Sequence, residues 1–407
     1  MTKKVIVIGG GAAGFFAAIH AKERFPDSEV IIIEKSKTVL AKVSISGGGR
    51  CNVTHACFDP KQLVDFYPRG RKELMGPFHR FQPQDTMEWF ESRGVSLKIE
   101  SDNRVFPISD QSQDIVDCLI QTAQKLGIKL WTECSVQTVN VDETREDKFL
   151  LRLSSGESHR CSRLILATGS SRKGYALAAS LGHHIVDPVP SLFTFKVDDP
   201  ELKTLAGVSV NETRVLLRGI KKSDQEGPLL ITHWGLSGPA IIKLSAWFAK
   251  ELHALNYKTT CCVNWLPQYS QEECLSHLKK QQASVPNQNI DKHSPFSQLS
   301  NRLWAYLLKR SLGESKRSWK SVSDKHFDVL AELLVNTQFE VNGKGVFKEE
   351  FVTCGGVDLK EIEFKTMESK LCKGLFVVGE LLDCDGVTGG FNFQNAWTTG
   401  WIAGSSC

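Results

Sequence analysis

The feature that most constrains what this chain can fold into is a short apolar run that breaks directly into glycine. Lys3–Ile8 (KKVIVI) ends in four consecutive β-branched residues and reads as a parallel strand buried on both faces. It enters Gly9-Gly10-Gly11-Ala12-Ala13-Gly14 without a loop, and an alanine-rich helical pattern follows from Phe15 to Lys22. In GxGxxG, Gly9 permits the tight turn, Gly11 lets backbone approach a pyrophosphate, and Gly14 lets helix and strand pack closely. The helix start, at Ala12 and Ala13, offers free N–H groups and a positive dipole end to phosphates. A glycine turn alone also fits an α/β protein that holds no nucleotide, so context decides. A second strand, Val30–Ile33, ends at Glu34, 25 residues past Gly9. An acid there accepts from a ribose diol and disfavours a 2′-phosphate, which argues against NADP as the tightly held dinucleotide.

Two later segments select FAD, bound non-covalently. Leu164–Gly169 (LILATG) is another buried strand, ending in Ala167-Thr168-Gly169. Gly374–Glu380 (GLFVVGE) is a late strand, followed by Asp383, by Gly389-Gly390-Phe391-Asn392 and by a helical stretch, Gln394–Ala403. Such a return brings an acid to the ribityl or pyrophosphate region and a helix start to the flavin pyrimidine edge, where reduction builds negative charge. An NAD dehydrogenase has no need of it. Leu164–Gly174 lacks a second GxGxxG, so an NAD(P)H reductant is expected to dock transiently.

At 407 residues the chain exceeds one compact core, and two or three domains are expected. Its apolar stretches run about eight to ten residues, short of the roughly 20 that span a bilayer. The start, MTKKVIVIGGG, lacks the apolar core and cleavage site of a signal peptide. Twelve cysteines are scattered with no CxxC pair, so neither a zinc site nor a disulfide framework is expected. Reduced thiols and a cytoplasmic location are the expectation. The net charge of +4 fits an ordinary surface.

Four stretches together resemble the BaiN/RdsA-type NAD(P)/FAD-dependent oxidoreductases. They are Ala41–Thr54 (AKVSISGGGRCNVT); Thr232–Pro239 (THWGLSGP); Thr353–Val357 (TCGGV) with Thr366–Lys370 (TMESK); and Gly379–Asn392 with Gln394 and Ala396-Trp397 beyond. The resemblance implies a Rossmann-type, glutathione-reductase-like FAD domain over residues 1–190 and 345–407. Between its two parts it implies a β-rich subdomain, 191–266, and a helical one, 267–344. Local patterns agree: Phe193–Val197, Thr213–Leu217 and Lys258–Trp265 alternate like strands, whereas Tyr269–Gln282, Leu299–Leu312 and Lys325–Asn336 are helical. The chain departs from the family after Ala167-Thr168-Gly169, where the loop before Gly174-Tyr175 is short, and at His55, where asparagine is common. The resemblance further implies FAD contacts at Lys35, Lys42, Ser46, Gly47, Gly48, Gly49, Arg50, Cys51, Asn52, Val136, Ala167, Thr168, Gly169, Gly379, Glu380, Asp383 and Gly389–Asn392.

The Ser46–Asn52 loop is expected to wrap the flavin, with Arg50 stabilising the pyrophosphate or a reduced, anionic ring. Reducing a conjugated C=C needs hydride at one carbon and a proton at the other. Cys51 either supplies that proton or merely packs on the ring. His233 is a second candidate donor, or else a hydrogen-bonding residue at the base of the insert. Cys384, between Asp383 and Asp385, is not expected to form a thiolate.

Members of the family have been linked to reduction of uridine in large-subunit ribosomal RNA, to steroid-type enone reduction and to aminoacetone oxidation. Arg302, Lys309, Arg310, Lys316, Arg317, Lys320 and Lys325 alternate with Trp304, Tyr306 and Trp319, and Arg69-Gly70-Arg71-Lys72 adds a basic run. Cations for phosphates and aromatics for bases suit RNA. The same pattern also fits a solvated helix face with core aromatics. The leading expectation is rRNA uridine reduction, with Arg310, Lys316, Arg317 and Lys320 touching RNA. The alternatives are a small-molecule enone reductase or amine oxidase, and a non-catalytic flavin-containing RNA-binding factor.

Overall fold

A computed structural model describes residues 3–313, 317–345 and 352–407. The chain divides into two units, Met1–Val189 with Val352–Cys407, and Pro190–Phe351.

The first unit is built on a seven-stranded sheet. Strand β1 (Lys4–Ile8) lies at its centre, parallel to β2 (Glu29–Ile33) on one side and to Arg163–Leu166 on the other. Leu375–Val377 and Lys129–Trp131 extend it in parallel, and Glu368–Ser369 and Ile362–Glu363 form an antiparallel edge. Val5, Ile6 and Val7 are fully buried, as a parallel strand covered on both faces requires. Helix α1 (Ala12–Arg24) follows β1 and packs against helix Phe391–Ser406 at backbone contact. A Cβ on Gly400 would lie 2.7 Å from Ala13 O, and one on Gly404 would lie 2.3 Å from Ala17 O. Positions that advance together along both helices mean that they run parallel. The eight-residue offset starts helix Phe391–Ser406 about 12 Å ahead of α1 at 1.5 Å per residue. A small sheet of Thr54–His55, Arg104–Pro107 and Leu97–Ile99 carries the loop that precedes Thr54.

The second unit is a closed six-stranded barrel, in the order Phe195–Val197, Gly235–Ser237, Gln225–Thr232, Ser209–Leu217, Lys258–Asn264 and Thr337–Lys344. Helices Gln271–Ser284, Asn301–Leu312 and Asp324–Asn336 accompany it, close to the expected spans. The expected boundary between a β-rich and a helical subdomain needs correction. Thr337–Lys344 is a barrel strand, and Trp265 Nε1 donates to Thr337 Oγ1 at 2.8 Å. One apolar core joins barrel residues such as Phe195, Val215 and Ile231 to Trp304, Trp319 and Phe327 from the helical stretch. Each such large side chain contributes roughly 1.5–3 kcal/mol on burial, and the barrel and the helical stretch draw on the same core.

No helix among the described residues is long and apolar enough to cross a membrane.

Candidate functional site

The site is built where β1 turns into α1. Gly9 has φ +115°, and its amide donates to Ile33 O at 2.8 Å. A Cβ there would lie 2.3 Å from Ala167 O, and a Cβ on Gly14 would lie 1.9 Å from Gly9 O. Gly11 differs: nothing stands within 4 Å of where its Cβ would be. Two of the three glycines are therefore demanded by the protein's own packing, and the third opens onto space. Helix α1 starts with neither a side-chain cap nor an acid in its first turn, which leaves its dipole end available to an anion. Glu34 closes one flank. Its Oε2 accepts from Gly10 N at 2.8 Å, and its Oε1 accepts from Ser36 N at 2.9 Å and Ser36 Oγ at 2.5 Å. Lys35 beside it is exposed. Val136 is buried at the head of strand Val136–Val141, two residues past Cys134, whose amide donates to Glu34 O.

Helix α2 (Ala41–Gly49) runs regularly only to about Ile45. Ser46 is extended at ψ 152°, and Gly47, Gly48 and Gly49 take φ of 58°, 70° and 86°. The expected glycine loop is thus the unwound end of a helix, with Gly48 and Gly49 facing open space. Arg50 departs from the expectation that it serves a pyrophosphate or flavin. Its guanidinium lies 4.0 Å over the Phe106 ring and pairs with Glu100 at 2.7 Å and Asp110 at 3.3 Å. The Glu100 hydrogen bond, followed by Asp110, pushes its pKa up, so its charge is already matched. Cys51, at φ +60°, is fully enclosed. Burial pushes its thiol up to about 12, against a small opposing hydrogen bond from Ser46.

Lys42 Nζ reaches Glu380 Oε2 at 2.5 Å and Ser170 Oγ at 3.4 Å. Glu380 Oε1 accepts from Thr353 N at 3.1 Å, and Asp383 Oδ1 from Gly355 N at 3.0 Å. The TCGGV stretch therefore holds both acids through its backbone. Gly379 (φ +67°) passes close to Ala13. Thr168 Oγ1 is buried with no hydrogen-bond partner, beside Gly169 (φ +57°). Gly389 and Gly390, at φ +130° and +95°, lead into helix Phe391–Ser406, which again lacks a side-chain cap and a first-turn acid. Asn52 ties this start to the glycine loop: its amide oxygen faces Gly390 N at 3.0 Å and its nitrogen faces Thr54 O at 2.9 Å. Phe391 stacks on Phe66 and His55, at 4.3 and 4.6 Å. Asn392 grips Gly386 by both backbone groups at 2.9 Å.

Two uncapped helix starts thus point the same way, staggered along parallel axes, with open glycines and an orphaned hydroxyl beside them. These features fit a dinucleotide whose phosphates meet α1 and whose far end meets helix Phe391–Ser406.

The family described as HI0933-like protein Rossmann domain matches residues 3–406. The chain belongs to that family. A ribosomal RNA dihydrouridine synthase of Escherichia coli (strain K12) is 31% identical over 409 residues, 97% of this chain and 96% of that one. A 3-dehydro-bile acid delta(4,6)-reductase of Clostridium scindens is 28% identical over 98% of both chains. Among solved structures, a 3-ketosteroid delta1-dehydrogenase from Sterolibacterium denitrificans superposes with a TM-score of 0.52 at 10% identity, over 99% of each chain. At that identity the likeness speaks for the fold alone. The fold of this HI0933-like protein is a Rossmann-type FAD-binding domain carrying a further β-rich and helical part, and its class is FAD-dependent oxidoreductase.

Several other expected residues stand differently. His233 is exposed in the turn between Gln225–Thr232 and Gly235–Ser237, next to a partly exposed Trp234. The aromatics of the basic stretch are not a stacking platform: Trp304, Trp319 and Tyr306 are 0%, 2% and 5% exposed, and form core. Arg310 donates to Tyr306 Oη at 2.9 Å and Gln338 O at 3.3 Å, and Lys309 pairs with Glu201. Arg317 is half-buried and its carbonyl accepts from Ile290 N, Lys320 is exposed, and Lys316 lies outside the described residues. Arg69 is no surface cation either; it pairs with the fully buried Asp385. Cys384 has its thiol pushed well up, chiefly by burial and then by Asp383 and Glu73. Sequence reasoning missed the Arg69–Asp385 pair, Asp110 and Glu100 as partners of Arg50, and the stack on Phe391. None of the twelve cysteines is in a disulfide, and no group of three or more His, Cys, Asp or Glu is set to hold a metal among the described residues.

Proposed function

We propose that this protein is an NAD(P)H-driven, FAD-dependent reductase of a conjugated C=C, and that its substrate is uridine in large-subunit ribosomal RNA. The observation that carries the reading is 31% identity, along nearly the whole of both chains, to the E. coli ribosomal RNA dihydrouridine synthase. In this reading Glu34 receives the ribose diol, the backbone at Gly11 and the start of α1 receive the pyrophosphate, and Glu380 and Asp383 flank the ribityl chain. The start of helix Phe391–Ser406 meets the pyrimidine edge. Bound FAD supplies the hydride, which NAD(P)H replenishes as it becomes NAD(P)+. The pyrimidine C=C takes hydride at one carbon and a proton at the other. Cys51 keeps its proton at neutral pH, because burial holds its pKa near 12, and Lys42 orients Glu380.

The test follows the absorbance of FAD-loaded protein without air, on adding NADH or NADPH and then unmodified rRNA. Bleaching, RNA-dependent reoxidation and dihydrouridine by mass spectrometry are the expected sequence. A second reading, reduction of a small enone, draws support from the bile-acid reductase relative. It predicts reoxidation by a steroid enone and none by RNA. Bleaching by neither nucleotide would overturn the NAD(P)H half of the proposal.

A further inference from the structure

The segment Phe66–Gly70 grips the approach to helix Phe391–Ser406 at successive points. Val387 N donates to Phe66 O at 2.9 Å, and Tyr67 Oη donates to Phe391 O at 2.6 Å. Arg69 and Asp385 form an antiparallel backbone bridge, and a Cβ on Gly70 would lie 2.2 Å from Cys384 Sγ. Across this crossing the Arg69 guanidinium meets Asp385 twice, Nε to Oδ1 at 2.5 Å and Nη2 to Oδ2. The Asp385 side chain has no solvent exposure and that of Arg69 is 13% exposed. A buried two-point ion pair fixes rotation as well as distance, which an apolar contact does not. Its cost is desolvation of both charges, and an apolar pair would serve stability as well or better. The loop it anchors has two left-handed glycines, Gly389 and Gly390, immediately before the helix start.

Resting on the FAD reading, we propose that Arg69 and Asp385 are positioning residues that aim the first amides of helix Phe391–Ser406 at the electron-accepting end of the flavin and hold its potential. The charges of the pair act through the helix start, which they fix and flank. Arg69 also interacts electrostatically with Asp383, so its loss makes the charge beside the site more negative. Negative charge there opposes reduction, and positive charge favours it.

The experiment measures the flavin midpoint potential of FAD-loaded Arg69→Met and Asp385→Asn protein, without substrate. The expected shifts have opposite signs: lower for Arg69→Met, higher for Asp385→Asn. Each changes the reduced-to-oxidised ratio about tenfold at fixed solution potential, or about 30 mV for a two-electron couple. Shifts of the same sign, or none, in variants that load FAD would overturn the proposal, since a purely structural role moves both alike. Should a single variant load poorly, the double variant Arg69→Met with Asp385→Leu is expected to load better than either single, because the buried charge of Asp385 is removed together with its partner. Worse loading in the double variant would also overturn it. Failure of the unmodified protein to bind FAD would sink the cofactor reading itself, and shows before any variant is made.

Discussion

Thr54 Oγ1 donates to Gln394 Oε1 at 2.6 Å, a buried bond between residues 340 positions apart. Thr86 Oγ1 donates to the same oxygen at 2.9 Å. Gln394 Nε2 donates to Thr398 Oγ1 at 3.0 Å, and that hydroxyl donates on to Phe81 O. The glycine loop and the late helix are therefore joined by a polar chain within the core.

Replacing Gln394 by Leu strands the Thr54 hydroxyl and leaves that of Thr86 only a 3.4 Å bond to Gln82 O. At about 1–3 kcal/mol for an unsatisfied buried group, a loss of roughly 2–4 kcal/mol is expected from one stranded and one weakened hydroxyl. Thr54→Val removes one partner and should cost about 1 kcal/mol. Urea denaturation of both variants checks the order, and an equal loss from each would contradict a shared hub at Gln394.

Gly11 and Gly14 should part company. A Cβ on Gly14 collides with Gly9 O, so Gly14→Ala is expected to destabilise the protein with or without cofactor. Gly11 has φ −95° and open space beyond it, so Gly11→Ala should leave the melting temperature of the cofactor-free protein unchanged. FAD affinity should nonetheless fall about tenfold or more, the equivalent of about 1.4 kcal/mol. Fluorescence titration with thermal melts separates the two. Full FAD affinity in Gly11→Ala would place the pyrophosphate elsewhere.

Stability should fall at alkaline pH. Burial raises the thiols of Cys51 and Cys161 from 9.0 to about 12. The folded state holds these protons more tightly than the unfolded chain, so the contribution is intact below about pH 9 and is lost as pH climbs toward 12. Denaturation curves from pH 8 to 11 should show the decline, and Cys51→Ala with Cys161→Ala should flatten it. Rapid alkylation of Cys51 in native protein at pH 8 would contradict its enclosure.

If rRNA is the substrate, Trp319 and Lys320 should behave oppositely despite being neighbours. Trp319→Ala empties core and should cost about 3–5 kcal/mol of stability. Lys320→Ala should leave stability alone, weaken RNA binding regardless of sequence, and lower the salt slope by about 1. Filter binding across salt concentrations, beside melts, reads both.

The Rossmann core was legible because its strands are continuous apolar runs that stop at glycines, and because Gly9, Gly14 and Glu34 serve local geometry. Thr337–Lys344 was missed because helix Asp324–Asn336 passes into it with no glycine or proline between, so the change of period had no punctuation. Trp304, Tyr306 and Trp319 misled because cations interleaved with aromatics look alike on a stacking face and on an amphipathic core helix. Only burial separates the two. Arg69 sits in a basic run, and its partner lies 316 residues on, beyond what spacing reveals. Arg50 is the same case at 50 and 60 residues.

The close packing of α1 against helix Phe391–Ser406 also sets an order of events during synthesis. At about 5–20 residues per second, roughly 20 to 70 s separate the emergence of the two helices from the ribosome. Through that interval Ala13 and Ala17 lack the glycines that cover them. The residues of the barrel unit are all made meanwhile, whereas the nucleotide cradle waits for the late helix. Cofactor capture is therefore expected only after the late helix has emerged, and a chain truncated before Phe391 is expected to present an open apolar face to chaperones.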